Sequence, residues 1–459
     1  MHFGEKLGHS KQKNSMGILS SLTREQKEAV GLLQIGTFLE YFDLMLYVHM
    51  AVLLNELFFP KTDPHTAALL TAFAFCSTWV FRPFGALLFG WIGDNIGRKP
   101  TVIITTIMMS ISCVIMANLP TYAEIGITAA VIITCCRICQ GLSSMGEIMG
   151  AEIYIAEITK PPVQYPAVAF LGVSASLGEM FALAIAALVT TCGFNWRIAF
   201  WIGAGIAVVG SIARTRLRET PEFIEGKRKL QYKTEKRNSD KYLDLKKVIG
   251  EKKVNKRSFL AFFLTFCGWP FCFYLAYMYF NPLLKERWGY SSEDIILHNL
   301  ILSIVLFSSV LFYSLLSYRI HPLKIAKFRG ISFITIACFS PLLINIATSP
   351  LQIFFLQAAI LATSLDTSTS EVAMFKHFPV LRRFTVVTFI YALTRAVMYV
   401  ITSFGLVYLT ALFGYYAIWL ILIPVSIGFL WGVNHFIKLE KVSGNFPEYR
   451  VSEKLSAIR

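Results

Sequence analysis

Glu40 and Asp43 stand three residues apart in one long apolar run, and Arg137 lies inside another. Three apart on a helix is close to one turn, so the two carboxylates share a face. At 1.5 Å rise per residue they lie roughly 16–21 Å along their run, and Arg137 about 15–18 Å from one end of its own, so all three reach similar depth. Ionisable groups in hydrocarbon cost a few kcal/mol each and are functional candidates by default. Two acids and a guanidinium at one depth can carry a proton, because protonating a carboxylate releases the arginine. The same groups can instead form a static buried pair that holds two helices in register. The sequence leaves both open.

Other charges interrupt apolar runs. Arg82 and Glu147 each suit either inter-helix pairing or contact with a bound solute. Arg395 lies well inside a late run, where a guanidinium can grip a carboxylate in bidentate fashion or pair with nearby Asp366. Glu179 beside Gly178 faces either a cavity or a neighbouring helix. Trp269, Phe273, Tyr274 and Tyr277 suit an aromatic cage for a cationic nitrogen. In a chain that is 14% aromatic they equally suit packing. The run Thr363–Ser370 is too polar for lipid and must face water or protein. Gly141-Leu-Ser143-Ser-Met-Gly146 superficially matches a nucleophile elbow, but no histidine and acid nearby complete a triad. Nine cysteines without ligand spacing read as small packing residues, so no metal and no cofactor is expected.

The elements that position these groups follow from composition. The chain has 459 residues, 55% hydrophobic and only 15% charged, with mean hydropathy +0.57. Apolar runs long enough to cross a ~30 Å hydrocarbon core recur along nearly all of it. Twelve spans are expected, at 29–54, 66–92, 101–119, 125–157, 166–191, 197–213, 258–281, 295–318, 328–348, 350–374, 384–412 and 415–437. Runs this apolar must be helices, because lipid offers the backbone no partner. No cleavable leader is expected before them, since the first 28 residues are polar.

Of 43 lysines and arginines, only Lys61, Arg197, Lys285 and Arg287 fall in the loops assigned outside when the amino terminus is inside. The positive-inside rule therefore places both termini in the cytoplasm. This topology explains the net charge of +15 better than nucleic acid does. The longest polar stretch, Arg214 to Arg257, carries 16 basic and 7 acidic residues and reads as a cytoplasmic linker. The expected divisions are a segment 1–28, a six-helix bundle 29–213, the linker 214–257, a second six-helix bundle 258–437 and a tail 438–459. Helix four ends Ala156-Glu157-Ile-Thr-Lys160-Pro161 and helix ten ends Glu371-Val-Ala-Met-Phe-Lys376-His377-Phe378-Pro379, a weak echo between the halves.

Gly90-Trp-Ile-Gly93-Asp94-Asn-Ile-Gly97-Arg98-Lys99 resembles the G-x-x-x-D-x-x-G-R-K loop of the major facilitator superfamily. Its glycines allow close approach and a tight turn. Asp94 can meet the positive amino end of the eleventh helix, while Glu152 and Glu157 are expected in a gate network with Arg98. Gly36-Thr-Phe-Leu-Glu40-Tyr41-Phe42-Asp43, Phe81-Arg82-Pro83-Phe84-Gly85, and Arg137-Ile-Cys-Gln140-Gly141 with Gly146-Glu147 resemble the metabolite:proton symporter family. So do Trp196-Arg197 and Arg218-Glu-Thr-Pro-Glu222-Phe223. The resemblance is to its proline/betaine transporters in particular, and it spans nearly the whole first half.

That resemblance implies an all-α membrane protein of the major facilitator fold, twelve helices in two bundles. It implies import of a small polar solute with protons across a bacterial inner membrane by a monomer in contact only with solute, protons and lipid. Glu40, Asp43 and Arg137 would couple the proton. Arg395, Tyr41, Arg82, Gln140, Glu147, Tyr274 and Tyr277 are the candidates for solute contact. The second half departs from the pattern. Ser317-Tyr-Arg319-Ile-His321-Pro-Leu-Lys324 occupies the place of a second latch but lacks its Asp and Gly residues. Organic-acid symport and a non-transporting sensor on the same fold remain alternatives.

Overall fold

A computed structural model describes residues 22–60, 64–95, 98–144, 147–215 and 254–446. The expected linker lies almost entirely outside these residues, as do most of both terminal segments and Gly97 of the glycine-rich loop. The side chains of Asp94, Arg98, Lys99 and Glu147 are likewise outside the description.

The first half runs through α1 (Arg24–Phe58), α2 (Pro64–Val80), α3 (Arg82–Asn95), α4 (Arg98–Asn118), the single turn α5 (Tyr122–Ile125), α6 (Ile127–Ser143), α7 (Glu147–Ile158), α8 (Gln164–Thr191) and α9 (Arg197–Thr215). The second half runs through α10 (Lys256–Phe266), α11 (Gly268–Tyr274), a π-turn (Leu275–Tyr279), α12 (Phe280–Trp288), α13 (Ser292–Leu316), α14 (Pro322–Ile346), α15 (Pro350–Ala362), the short α16 (Glu371–Phe375), α17 (Val380–Phe413), a 3-10 turn (Gly414–Tyr416) and α18 (Ala417–Val442). Seven helical stretches among the described residues are long and apolar enough to cross a membrane. Shorter apolar helices, such as Ile127–Ser143 and Pro350–Ala362, lie between them.

Local signals set the ends. Thr23 caps α1, accepting from the Gln26 amide while Gln26 returns a bond to the Thr23 amide. Ser291 and Asp294 do the same for α13. Gly289, at φ +67°, ends α12 in the left-handed conformation that favours glycine.

The polarity pattern is inverted relative to a water-soluble protein. On α4, Ile104, Ile107, Ile111 and Ile115 form an exposed stripe at helical spacing, while Arg82, Arg137 and Arg329 are at most 2% exposed. Glycines bring helices unusually close. A Cβ on Gly141 of α6 would meet the Thr78 carbonyl of α2 at 1.9 Å, and one on Gly178 of α8 would meet the Phe38 carbonyl of α1 at 2.3 Å.

Several expected spans are broken, the seventh at Cys267 between α10 and α11. The second divides at Phe81 into α2 and α3. The tenth stops as a helix at Ala362, and residues 363–370 run without helix before α16. Ser364, Thr367, Thr369 and Ser370 are buried, so the polar run faces protein. Arg329 of α14 holds it, donating to Asp366 Oδ2 at 3.1 Å and Ser364 Oγ at 2.9 Å. Asp366 also accepts from the Ser368 amide and hydroxyl. Those bonds replace the helical ones the segment lacks.

Candidate functional site

Two buried guanidiniums meet where the halves of the chain adjoin. Arg82, first residue of α3, places Cζ 3.9 Å from the Trp79 ring centroid, and Arg395 of α17 places Cζ 3.4 Å from that of Tyr391. Each lies within electrostatic range of the other and of Tyr41. Tyr41 of α1 and Tyr391 of α17 approach hydroxyl to hydroxyl at 3.3 Å. Nε and Nη2 of Arg82, and Nη1 of Arg395, are buried with no hydrogen-bond partner. Unsatisfied buried guanidinium donors are costly, so an arriving carboxylate gains both charge and donors there. The alternative expected for Arg395, a pair with Asp366, is not formed, because Arg329 occupies that carboxylate.

Glu40 and Asp43 serve different neighbourhoods despite their spacing. Glu40 lies within range of Arg82. Asp43 turns toward α4 and α9: its Oδ1 is 3.3 Å from where Gly203 would carry a Cβ, and it borders Cys113. Arg137 also lies within electrostatic range of Cys113. Its guanidinium donates to Gln140 Oε1 at 2.9 Å and to the Leu44 carbonyl at 3.4 Å, over the Tyr47 ring, and Gln140 meets Cys113 Sγ at 3.6 Å. Asp43 and Arg137 therefore share one network through Cys113 and Gln140. Glu40 thus lies toward Arg82 and Asp43 toward Cys113, with Arg137 within range of both Arg82 and Cys113.

The helix-seven aromatics pack mainly on one another and on their neighbours. Phe273 lies 5.2 Å from Tyr277 and 6.0 Å from Trp269, and Tyr274 lies 5.4 Å from Phe75, which meets Tyr399 at 5.0 Å. Tyr274 and Tyr277 are buried within this cluster. Ser143 is spent on a bond to the Gln140 carbonyl. Five cysteines are buried, as packing residues should be, whereas Cys135, Cys192 and Cys338 are exposed.

Glu152 departs from its expected place in an interfacial network. It is 5% exposed and lies within electrostatic range of Glu371 of α16. Glu157 does join a cross-half contact, with Arg383 of α17 at 3.7 Å. At the far end, Lys285 meets Glu56 at 2.7 Å, so the halves are bridged near both ends of the helices.

One cluster has no forerunner in the sequence reading. Fully buried Glu440 of α18 is met by Lys376 at 2.6 Å, His377 at 2.5 Å and His321 at 3.8 Å. His321 belongs to the stretch that occupies the place of the second latch. Only tertiary structure brings Glu440 to this lysine and these histidines.

Residues 33–402 match the profile of the Major Facilitator Superfamily. The chain belongs to that superfamily. A proline/betaine transporter of Salmonella typhimurium is 31% identical over 212 residues, 45% of this chain and 42% of that relative. The Escherichia coli inner membrane metabolite transport protein YhjE is 36% identical over 197 residues, 41% of this chain and 45% of that relative. The chain thus spans about half the length of the curated relatives it matches, and within the superfamily it resembles proline/betaine-type metabolite:proton symporters. The fold is that of a proton:xylose symporter, with TM-score 0.68 at 15% identity over 90% of this chain and 95% of the other. The human organic anion transporter MFSD10 (TETRAN) has it too, with TM-score 0.63 at 15% identity over 90% of this chain and 100% of the other.

Proposed function

We propose that this protein is a secondary active transporter that imports a small carboxylate-bearing solute together with protons. In this reading twelve helices form two six-helix bundles that rock about the Arg82–Arg395 site. The termini and the linker 214–257 face the cytoplasm, the membrane is the bacterial inner membrane, and the working unit is the monomer. Proton-driven solute movement requires no metal and no cofactor.

The observation that carries the proposal is the pair of buried guanidiniums, stacked on aromatic rings and holding hydrogen-bond donors without acceptors. Glu40 supplies the coupling. A proton on its carboxyl weakens its hold on Arg82, which then turns its donors to the solute carboxylate. Asp43, balanced by Arg137 through Cys113 and Gln140, is the second acid of the cycle. Asp94 with Arg98 and Lys99 forms the cytoplasmic gate, and Gly90 and Gly97 allow its turn. Gln140, Glu147, Tyr274 and Tyr277 are placed around the solute path rather than on its carboxylate.

The printed names of the relatives put proline- and betaine-type zwitterions first among solutes. Organic acids form the second reading, which the pairing of two guanidiniums favours, since a dicarboxylate would satisfy both. A thermal-shift screen of the purified protein against proline, glycine betaine and dicarboxylates separates them, because a selective ligand stabilises by mass action. Stabilisation by one carboxylate class, lost in Arg395→Gln, is the expected result. Stabilisation only by uncharged solutes, or stabilisation that Arg395→Gln leaves intact, contradicts the proposal. Binding without counterflow of labelled solute would mark a sensor instead.

A further inference from the structure

His49 of α1, Glu179 of α8 and Tyr277 of the π-turn converge in the interior at the junction of the two halves. His49 Nε2 lies 3.4 Å from Glu179 Oε1, with the two side chains 0% and 4% exposed. The Tyr277 ring is 5.5 Å from the imidazole and its hydroxyl is within range of Glu179. Both imidazole nitrogens, Glu179 Oε1 and the Tyr277 hydroxyl lack hydrogen-bond partners. Three polar groups, each at least nine-tenths buried, thus face one another with bonding capacity unused. Buried polar groups are ordinarily hydrogen-bonded, so three that face one another unpaired call for an explanation. The other groups around them are Phe273, 6.3 Å from His49, and Tyr399 of α17, within range of Glu179.

We propose that His49, Glu179 and Tyr277 form a second proton-binding site, which carries a coupled proton in addition to the one on Glu40 or Asp43. An imidazole exchanges protons near neutral pH, within reach of the physiological gradient. When the site opens to the acidic side, His49 Nε2 takes a proton from hydronium, leaving water, and the imidazolium closes on the Glu179 carboxylate as a net-neutral pair suited to burial. When the site opens to the other side, the proton returns to water. Tyr277 comes from the second half of the chain, and its π-turn, a feature common at functional sites, places its hydroxyl where rocking makes and breaks the contact. The inference rests on the proposed proton-coupled transport, which it extends in stoichiometry.

The test compares wild type with the double variant His49→Gln/Glu179→Gln, which removes both charges together. Proteoliposomes are given a one-unit pH gradient with the membrane potential clamped to zero. The probe is radiolabelled glycine betaine, proline or succinate, whichever wild type exchanges in counterflow. One pH unit makes each coupled proton worth about tenfold in the accumulation ratio. The variant should keep counterflow and lose about tenfold in accumulation. His49→Lys, which keeps the pair but holds its proton, should show the same loss and serves if the double variant lacks counterflow. A variant that exchanges solute and retains the wild-type ratio overturns the proposal. Wild type that exchanges solute with no proton movement defeats the transport reading itself, a distinct outcome.

Discussion

Arg82 and Arg395 differ from Arg329 in what their guanidiniums meet, and that difference predicts opposite phenotypes. Arg329 is ion-paired to Asp366 and bonded to Ser364, with Nε alone left without a partner, so it is structural. Removing one partner of such a buried pair costs about 3–5 kcal/mol, and Arg329→Met should lower the melting temperature markedly whatever solute is present. Arg82 and Arg395 retain unmet donors. Arg395→Lys should leave melting of the solute-free protein within a few degrees while counterflow falls at least tenfold, because a point ammonium cannot reproduce bidentate geometry. Glu40→Gln should abolish uphill accumulation and leave exchange measurable. Normal accumulation in both Glu40→Gln and Asp43→Asn would remove the coupling assignment. These residues were legible from sequence because a charge inside an apolar run is conspicuous. Their partners were not: Glu152 beside Glu371 and Arg329 with Asp366 are contacts between separate elements that depend on exact rotation about the helix axis. His49 was missed for a related reason, since a neutral imidazole scarcely interrupts the hydropathy of α1.

At the scale of elements, apolar length read out most of the helices but not their breaks. Phe81 sits in a run as hydrophobic as any, so apolar length did not mark the place where α2 gives way to α3. The unwound 363–370 segment was legible as too polar for lipid, but its retention by Arg329 depends on a helix that precedes it by some thirty residues. Close packing yields a prediction of its own. Gly141→Ala drives a methyl into the Thr78 carbonyl, and such overpacking costs about 1–3 kcal/mol. A lowered melting temperature with wild-type proton-to-solute ratio is expected. A variant as stable as wild type would mean that α2 and α6 are not so tightly apposed.

The whole molecule is bridged near both ends of its helices, by Lys285–Glu56 at one and Glu157–Arg383 at the other. Both residues of the first pair are about half exposed, so it is worth at most about 1 kcal/mol. Glu56→Gln should therefore shift the balance between outward- and inward-facing forms by no more than about fivefold, measurable from spin-label distances across that end. The Glu440 cluster is far better buried, and charge reversal with Glu440→Lys should destabilise the second half rather than retune the balance. Superfamily membership was legible from the glycine-rich loop and from the acids and arginines of the first half. The divergent second half gave less, because its buried Glu440 cluster joins residues distant in sequence.

Solute-induced proton movement tests the central claim most directly. Proteoliposomes in weakly buffered medium are given proline, glycine betaine or a dicarboxylate while external pH is recorded. The account predicts that the solute class which stabilises the protein also makes the medium alkaline as protons enter with it, and that Arg395→Gln and Glu40→Gln abolish the signal. Solute uptake with no change in external pH would contradict it.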